Sequence, residues 1–136
     1  MSRKAFKLGC GTISPERPSL EEQRLKKIMF YFGDVHSDYT IASTKQKDYK
    51  SRIADTIDTC SQFDYIGLRN KGRHTTGGTE KISVDQLKVP LPNTITPDVK
   101  HVFSMYVSKD HRMIGIFRES VFVVLFVDYN LELYRH

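Results

Sequence analysis

Residues 101–136 read HVFSMYVSKDHRMIGIFRESVFVVLFVDYNLELYRH, and the fold turns on how this stretch is read. It holds three β-rich runs, residues 102–107, 112–118 and 121–127, separated by polar turns at 108–111 and 119–120. Turns this short join neighbouring antiparallel strands, so the spacing predicts a three-stranded meander. The third run, Val-Phe-Val-Val-Leu-Phe-Val, has no apolar–polar alternation and needs cover on both faces. It is therefore expected inside the sheet, with a helix over at least one side. Asp128-Tyr129-Asn130 ends it, and residues 131–134 leave room for a short edge strand.

The helix to cover that sheet lies upstream. Within residues 45–63, Tyr49, Ile53, Ile57 and Cys60 recur at spacings of four, four and three, which places them on one helical face. Ser43 and Gln46 have capping-box spacing at its start, and Lys47, Lys50, Arg52, Asp55 and Asp58 make a solvated outer face. Residues 27–32 read as a strand stopped by Gly33-Asp34, and Ser19 with Glu22 can start a short helical turn before it. Residues 70–78, NKGRHTTGG, form a turn-rich basic loop. Residues 80–87 offer a short strand and turn, and Pro90, Pro92 and Pro97 keep the next stretch extended. Residues 1–18, with Gly9, Gly11, Pro15 and Pro18, read as a flexible basic arm. The expectation is thus one α+β domain over residues 19–136: a principal helix packed on a twisted antiparallel sheet.

A chain of 136 residues suits one core rather than two. Its hydrophobic fraction of 39% and charged fraction of 27% are those of a folded globular chain, not a disordered one. The net charge of +5 favours polyanionic partners: RNA, DNA, the ribosome or an acidic protein. Cys10 and Cys60 stand fifty residues apart, which is neither a zinc spacing nor a disulfide framework. No apolar run approaches the roughly 18–20 residues of a membrane span, and the first residues lack the apolar region of a signal peptide. These features point to a cytoplasmic protein with no membrane partner.

Four groups of residues could carry chemistry. Gly33-Asp34-Val35-His36 has the Asp-x-His of metallophosphatases, but no further ligand-bearing motifs follow, and a strand-ending turn is the plainer reading. Thr75-Thr76-Gly77-Gly78-Thr79-Glu80-Lys81 lacks phosphate-loop spacing and also reads as a turn. Its flanks set Arg73, His74 and Lys81 on one segment, where they can contact RNA or simply be solvated. Arg112 and Arg118 share strand parity and so one sheet face, where a guanidinium fork suits phosphate; pairing with Glu119 or Asp128 is the alternative. Tyr134, Arg135 and His136 follow directly on the sheet, and Tyr134 is expected to be docked.

Residues 78–136 also carry a resemblance. Gly78-Thr79-Glu80-Lys81-Ile82, then Arg112-Met113-Ile114-Gly115-Ile116-Phe117-Arg118, then Asp128-Tyr129-Asn130 through His136 resemble a group of small bacterial and phage-type proteins. That ending in turn resembles the RelE/ParE/HigB toxin superfamily, in which helices precede a twisted antiparallel sheet. The resemblance implies a RelE-like domain acting as a metal-independent endoribonuclease on mRNA at the ribosome, without a cofactor and neutralised by a cognate antitoxin protein. It puts Arg112 at the scissile phosphate and Tyr134 or His136 at the acid/base position. His74 and His136 are the imidazole candidates, because imidazole titrates near neutrality. Arg73, Lys81, Arg118 and Arg135 complete the expected RNA contacts. The N-terminal half has no lysine-rich helix of the RelE kind. A non-catalytic binding module or ParE-like inhibitor of another protein is therefore the second expectation, and a phage accessory protein the third.

Overall fold

The structure, a computed structural model, describes residues 26–43 and 47–136. The arm at residues 1–18, the turn at Ser19, the Gln46 side of the capping box and Cys10 lie outside the described residues. In chain order the elements are strand β1 (Met29–Tyr31), helix α1 (Lys47–Cys60), helix α2 (Tyr65–Arg69) and strands β2 (Thr79–Ser83), β3 (His101–Ser108), β4 (His111–Arg118) and β5 (Val121–Asp128). They build one five-stranded sheet in the order β1-β5-β4-β3-β2.

The meander is as the sequence indicates: β3 pairs antiparallel with β4, and β4 with β5. The run with no polar alternation, β5, lies inside the sheet between β1 and β4. One feature departs from the expected antiparallel sheet. The short strand β1 runs parallel to β5, with Met29 opposite Val121 and Tyr31 opposite Val123. Parallel neighbours need a long connection between them, and here the two helices and the other three strands supply it. The class is mixed α and β, with a mixed rather than purely antiparallel sheet.

Each face of the sheet buries its own core. On one side, Ile53 and Cys60 of α1 and Leu68 of α2 pack on Met105, Met113 and Phe122. The predicted apolar face of α1 is the one that docks, with Ile53 and Cys60 buried and Ile57 half-buried. On the other side, Ile114, Ile116 and Phe126 are covered by Ile95 from the proline-rich connection and by Leu133 and Tyr134 from the C-terminal tail. Phe122, Leu125 and Phe126 are wholly buried. Each such side chain stabilises the fold by about 1.5–3 kcal/mol relative to exposure.

A bulge lets β5 serve both cores. Its register on β4 shifts between Ile114, opposite Phe126, and Gly115, opposite Val124, so Leu125 is the extra residue. Gly115 is needed there: a Cβ atom at this position would lie 2.1 Å from the Val123 carbonyl oxygen.

Two further departures are local. Residues 131–134 add no strand. Instead the Asp128 carboxylate accepts from the backbone N–H of Glu132 (3.0 Å) and Leu133 (3.1 Å), curling the tail back over the sheet. Helix α2 has too few residues for periodicity to expose it in the sequence; its signal is the N-cap Asp64, whose carboxylate accepts from Gly67 N–H at 2.7 Å. No helix among the described residues is long and apolar enough to cross a membrane.

Candidate functional site

The cavity that gathers the expected residues lies on the sheet face away from the helices. It has a volume of about 280 Å³ and is lined by Arg73, His74, Glu80, Ser104, Arg112, Leu131 and His136. Strand geometry sets its floor: Glu80 stands opposite Ser104 across β2 and β3, and Arg112 opposite Tyr106 across β4 and β3. The side chains of Glu80, Ser104, Tyr106 and Arg112 share one face by strand parity.

Two irregular segments supply the walls. The loop at residues 70–78 is pinned to β3 at its far end, with Gly77 N–H bonded to Tyr106 O (2.9 Å) and Tyr106 N–H to Gly78 O (2.8 Å). Within it, Gly78 N–H donates to Thr75 O at 2.7 Å, and a Cβ at Gly78 would sit 2.0 Å from Gly72 O. This tight closure holds Arg73 and His74 over the cavity. The tail supplies the opposite wall. Tyr134 is 2% exposed, and its hydroxyl hydrogen-bonds with Ser104 Oγ at 2.7 Å and reaches Glu80 Oε2 at 3.3 Å. The His136 ring packs on Tyr134, with centroids 4.0 Å apart.

The electrostatics of the cavity are uneven. Arg73 is paired with Glu80 at 2.7 Å, an exposed bridge of small energetic weight. That is the only ion pair among the described residues. Arg112 is 9% exposed and has no carboxylate partner among the described residues. Its Nη1 donates to the Ser108 and His111 carbonyls at 2.6 and 2.8 Å, and its guanidinium lies 4.5 Å from the Tyr106 ring centroid. A guanidinium has five N–H donors, so the rest remain available to a ligand. Burial, and then the positive charge of Arg112, push the His136 imidazole below its ordinary value of 6.5. Burial, aided by the Glu80 carboxylate, raises the Tyr134 phenol above 10.0. At neutral pH His136 is therefore a neutral base and Tyr134 a protonated phenol.

Arg73, His74, Arg112 and His136 thus line one cavity, and Tyr134 underlies it as the docked residue the sequence suggested. Three expected contacts are elsewhere. Lys81 has the opposite strand parity from Glu80 and stands opposite Phe103, so it leaves the cavity face. Arg118 shares parity with Arg112 but sits six residues further along β4, about 20 Å away. It lines another cleft of about 460 Å³ with Lys100 and His101. Arg135 is exposed and does not line the cavity.

Glu80 and Ser104 were not singled out in the sequence. Their signal was the polar residue placed at a core parity: Glu80 two before Ile82, and Ser104 two after Val102.

The other motifs serve structure. His36 Nδ1 accepts from Asp38 N–H at 3.1 Å in a turn after β1, and its ring stacks on Phe126 with centroids 5.7 Å apart. Residues 75–78 close the loop described above. Cys60 is a buried free thiol whose pKa burial raises to about 11, so it stays protonated and packs against Met105. A scan against protein-family models and searches of curated proteins and of solved structures found no match to this chain.

Proposed function

We propose that the chain is a RelE-like, toxin-type endoribonuclease that cleaves mRNA at the ribosome in the cytoplasm and is held inactive by an antitoxin covering the cavity. The observation that carries this reading is the pairing of Arg112 with two imidazoles. A buried guanidinium without a carboxylate partner is costly unless it meets an anion, and this one faces a cavity walled by His74 and His136. A phosphodiester supplies the missing negative charge, and its fork geometry suits a guanidinium.

The chemistry needs no metal. Neutral His136 takes the proton from the ribose 2′-hydroxyl as that oxygen bonds to the adjacent phosphorus. The bond from phosphorus to the 5′ oxygen breaks, and His74, as the general acid, gives that oxygen its proton. The products are a 2′,3′-cyclic phosphate and a 5′-hydroxyl. The remaining N–H groups of Arg112 stabilise the charge that builds on the phosphoryl oxygens. Tyr134 orients His136 by ring contact and is itself held by Ser104 and Glu80.

Controlled expression of the wild-type chain and of Arg112→Ala, followed by growth and total-RNA integrity, tests this. Growth arrest with mRNA loss, relieved by Arg112→Ala, is the expected result. Arrest with intact RNA would transfer the reading to a ParE-like inhibitor of another protein. Absence of arrest, with the purified chain inert towards RNA both with and without ribosomes, would leave a binding module or phage accessory role.

A further inference from the structure

Arg112 takes its bearing from the turn that precedes it. Its Nη1 donates to the Ser108 carbonyl at 2.6 Å and to the His111 carbonyl at 2.8 Å, which leaves Nη2 and Nε as the donors for a ligand. Whatever moves either carbonyl moves the guanidinium. The strand ladder does not set their spacing by itself. The pairing of β3 with β4 shifts between Tyr106, opposite Arg112, and Ser108, opposite His111, so Val107 is an extra residue beside the turn.

What fixes the two carbonyls lies on the other side of the sheet. Strand parity sends the His111 and Arg112 side chains to opposite faces. The His111 ring is 1% exposed and packs under α1, its centroid 3.3 Å from that of Tyr49. From there its Nδ1 bonds with Ser108 Oγ at 2.7 Å, tying the first residue of the turn to the last. Packing alone does not call for an imidazole here. Its Nε2 is buried with no hydrogen-bond partner among the described residues, and an unpaired buried nitrogen is destabilising. An apolar ring would fill the space under Tyr49 without that cost, but it could not hold Ser108.

We propose that Ser108 and His111 are positioning residues for Arg112, their side-chain bond fixing the two carbonyls that aim the guanidinium at a phosphate. This rests on the reading of Arg112 as the phosphate-binding group and adds the parts that hold it in place. With the bond made, Nη1 is held between two anchored oxygens while the guanidinium lies 4.5 Å from the Tyr106 ring centroid. With the bond lost, the bulged turn relaxes and Arg112 gains freedom that it must give up again when phosphate binds. Helix α1 lines no part of the Arg112 cavity, and it acts on that cavity through the contact of Tyr49 with His111.

The experiment titrates inorganic phosphate into the purified full chain and follows the Arg112 Nε–H resonance by NMR. The proteins are wild type, Ser108→Ala, Ser108→Thr and the double variant Ser108→Ala/His111→Phe. Ser108→Ala should weaken phosphate about tenfold, the scale of one lost hydrogen bond. Ser108→Thr restores the hydroxyl and should restore the affinity. The double variant removes both polar partners, so it leaves no newly unpaired nitrogen to unfold the turn, and it should bind as weakly as Ser108→Ala. A bond that served stability alone would lower the urea midpoint of Ser108→Ala and leave the phosphate affinity of the folded chain unchanged. That result, a Ser108→Thr chain as weak as Ser108→Ala, or a wild-type resonance unmoved by phosphate would each overturn the inference.

RNA cleavage by the same proteins keeps the two readings apart. Phosphate affinity that falls and recovers as expected, in a wild type that cuts no RNA with or without ribosomes, would overturn the nuclease and support the positioning pair. Unchanged affinity in Ser108→Ala, beside a wild type that cuts RNA, would overturn the pair alone.

Discussion

Arg112 and Asp128 stand directly opposite each other across β4 and β5, yet they form no ion pair. The Asp128 carboxylate is directed to the tail, accepting from Glu132 and Leu133 N–H, and Arg112 is left to the cavity. One carboxylate thereby does two things. It folds the segment carrying Tyr134 and His136 over the sheet, and by being engaged there it leaves the guanidinium without a carboxylate partner among the described residues.

Asp128→Ala should therefore unfasten the tail. Asp128 is 1% exposed, and two charge-assisted hydrogen bonds to a buried carboxylate are lost together. A destabilisation of about 3 kcal/mol is expected in urea unfolding. Faster amide exchange at Glu132 and Leu133 should accompany it, with β3 and β4 still protected. Unchanged exchange at those two amides would show that the tail is held by Leu133 and Tyr134 packing instead.

Gly115→Ala tests the bulge. The added methyl would meet the Val123 carbonyl oxygen, a backbone atom that cannot turn aside. The β4–β5 register would have to open, at about 3 kcal/mol. Urea unfolding gives the loss directly. A variant as stable as wild type would mean that β5 slips to a regular register at no cost.

Much of this was legible beforehand because periodicity reports burial. The meander and the docked face of α1 follow from spacing alone, since most side chains that meet the core are apolar. What spacing leaves open is which edges pair. β1 carries no mark distinguishing a parallel place beside β5 from any other edge, and its three paired residues are too few to show alternation. The site was half legible for the same reason. Arg112 and His136 stand out by chemistry, but strand parity had to be combined with pairing before Lys81 could be excluded from the cavity and Glu80 admitted. Arg118 shows the limit of parity: it shares a face with Arg112 and is still a strand-length away.

His111 should make the fold sensitive to acid. Its Nδ1 bonds with Ser108 Oγ at 2.7 Å, while its buried Nε2 has no hydrogen-bond partner among the described residues, and the ring lies between Tyr49 and Tyr129. Burial is the main cause that lowers its pKa below 6.5. Arg52 and Arg112 act in the same direction, and Asp110 and Asp128 oppose them. The unfolded chain thus binds a proton at a pH where the folded chain does not. Stability is full above about 6.5 and falls as pH drops below it, because protonation then favours the unfolded state. Urea midpoints measured from pH 8 to pH 5 should decline for wild type and decline less for His111→Phe, which keeps a ring in place and removes the titrating group. Equal slopes in the two proteins would assign the acid sensitivity to other residues.

The two causes that lower the pKa of His136, an exposed residue, can be separated. The imidazole of His136 is lowered first by burial and then by the Arg112 charge. Removing that charge should raise the pKa part of the way back towards 6.5, whether or not the variant can process RNA. Proton NMR titration of the His136 ring in wild type and in Arg112→Ala measures this without any substrate. An upward shift would show the guanidinium and the imidazole acting within one field, as the proposed phosphate-binding and base roles require. A titration unmoved by the substitution would mean that water screens the two groups from each other, and the division of roles between Arg112 and His136 would then have no electrostatic basis.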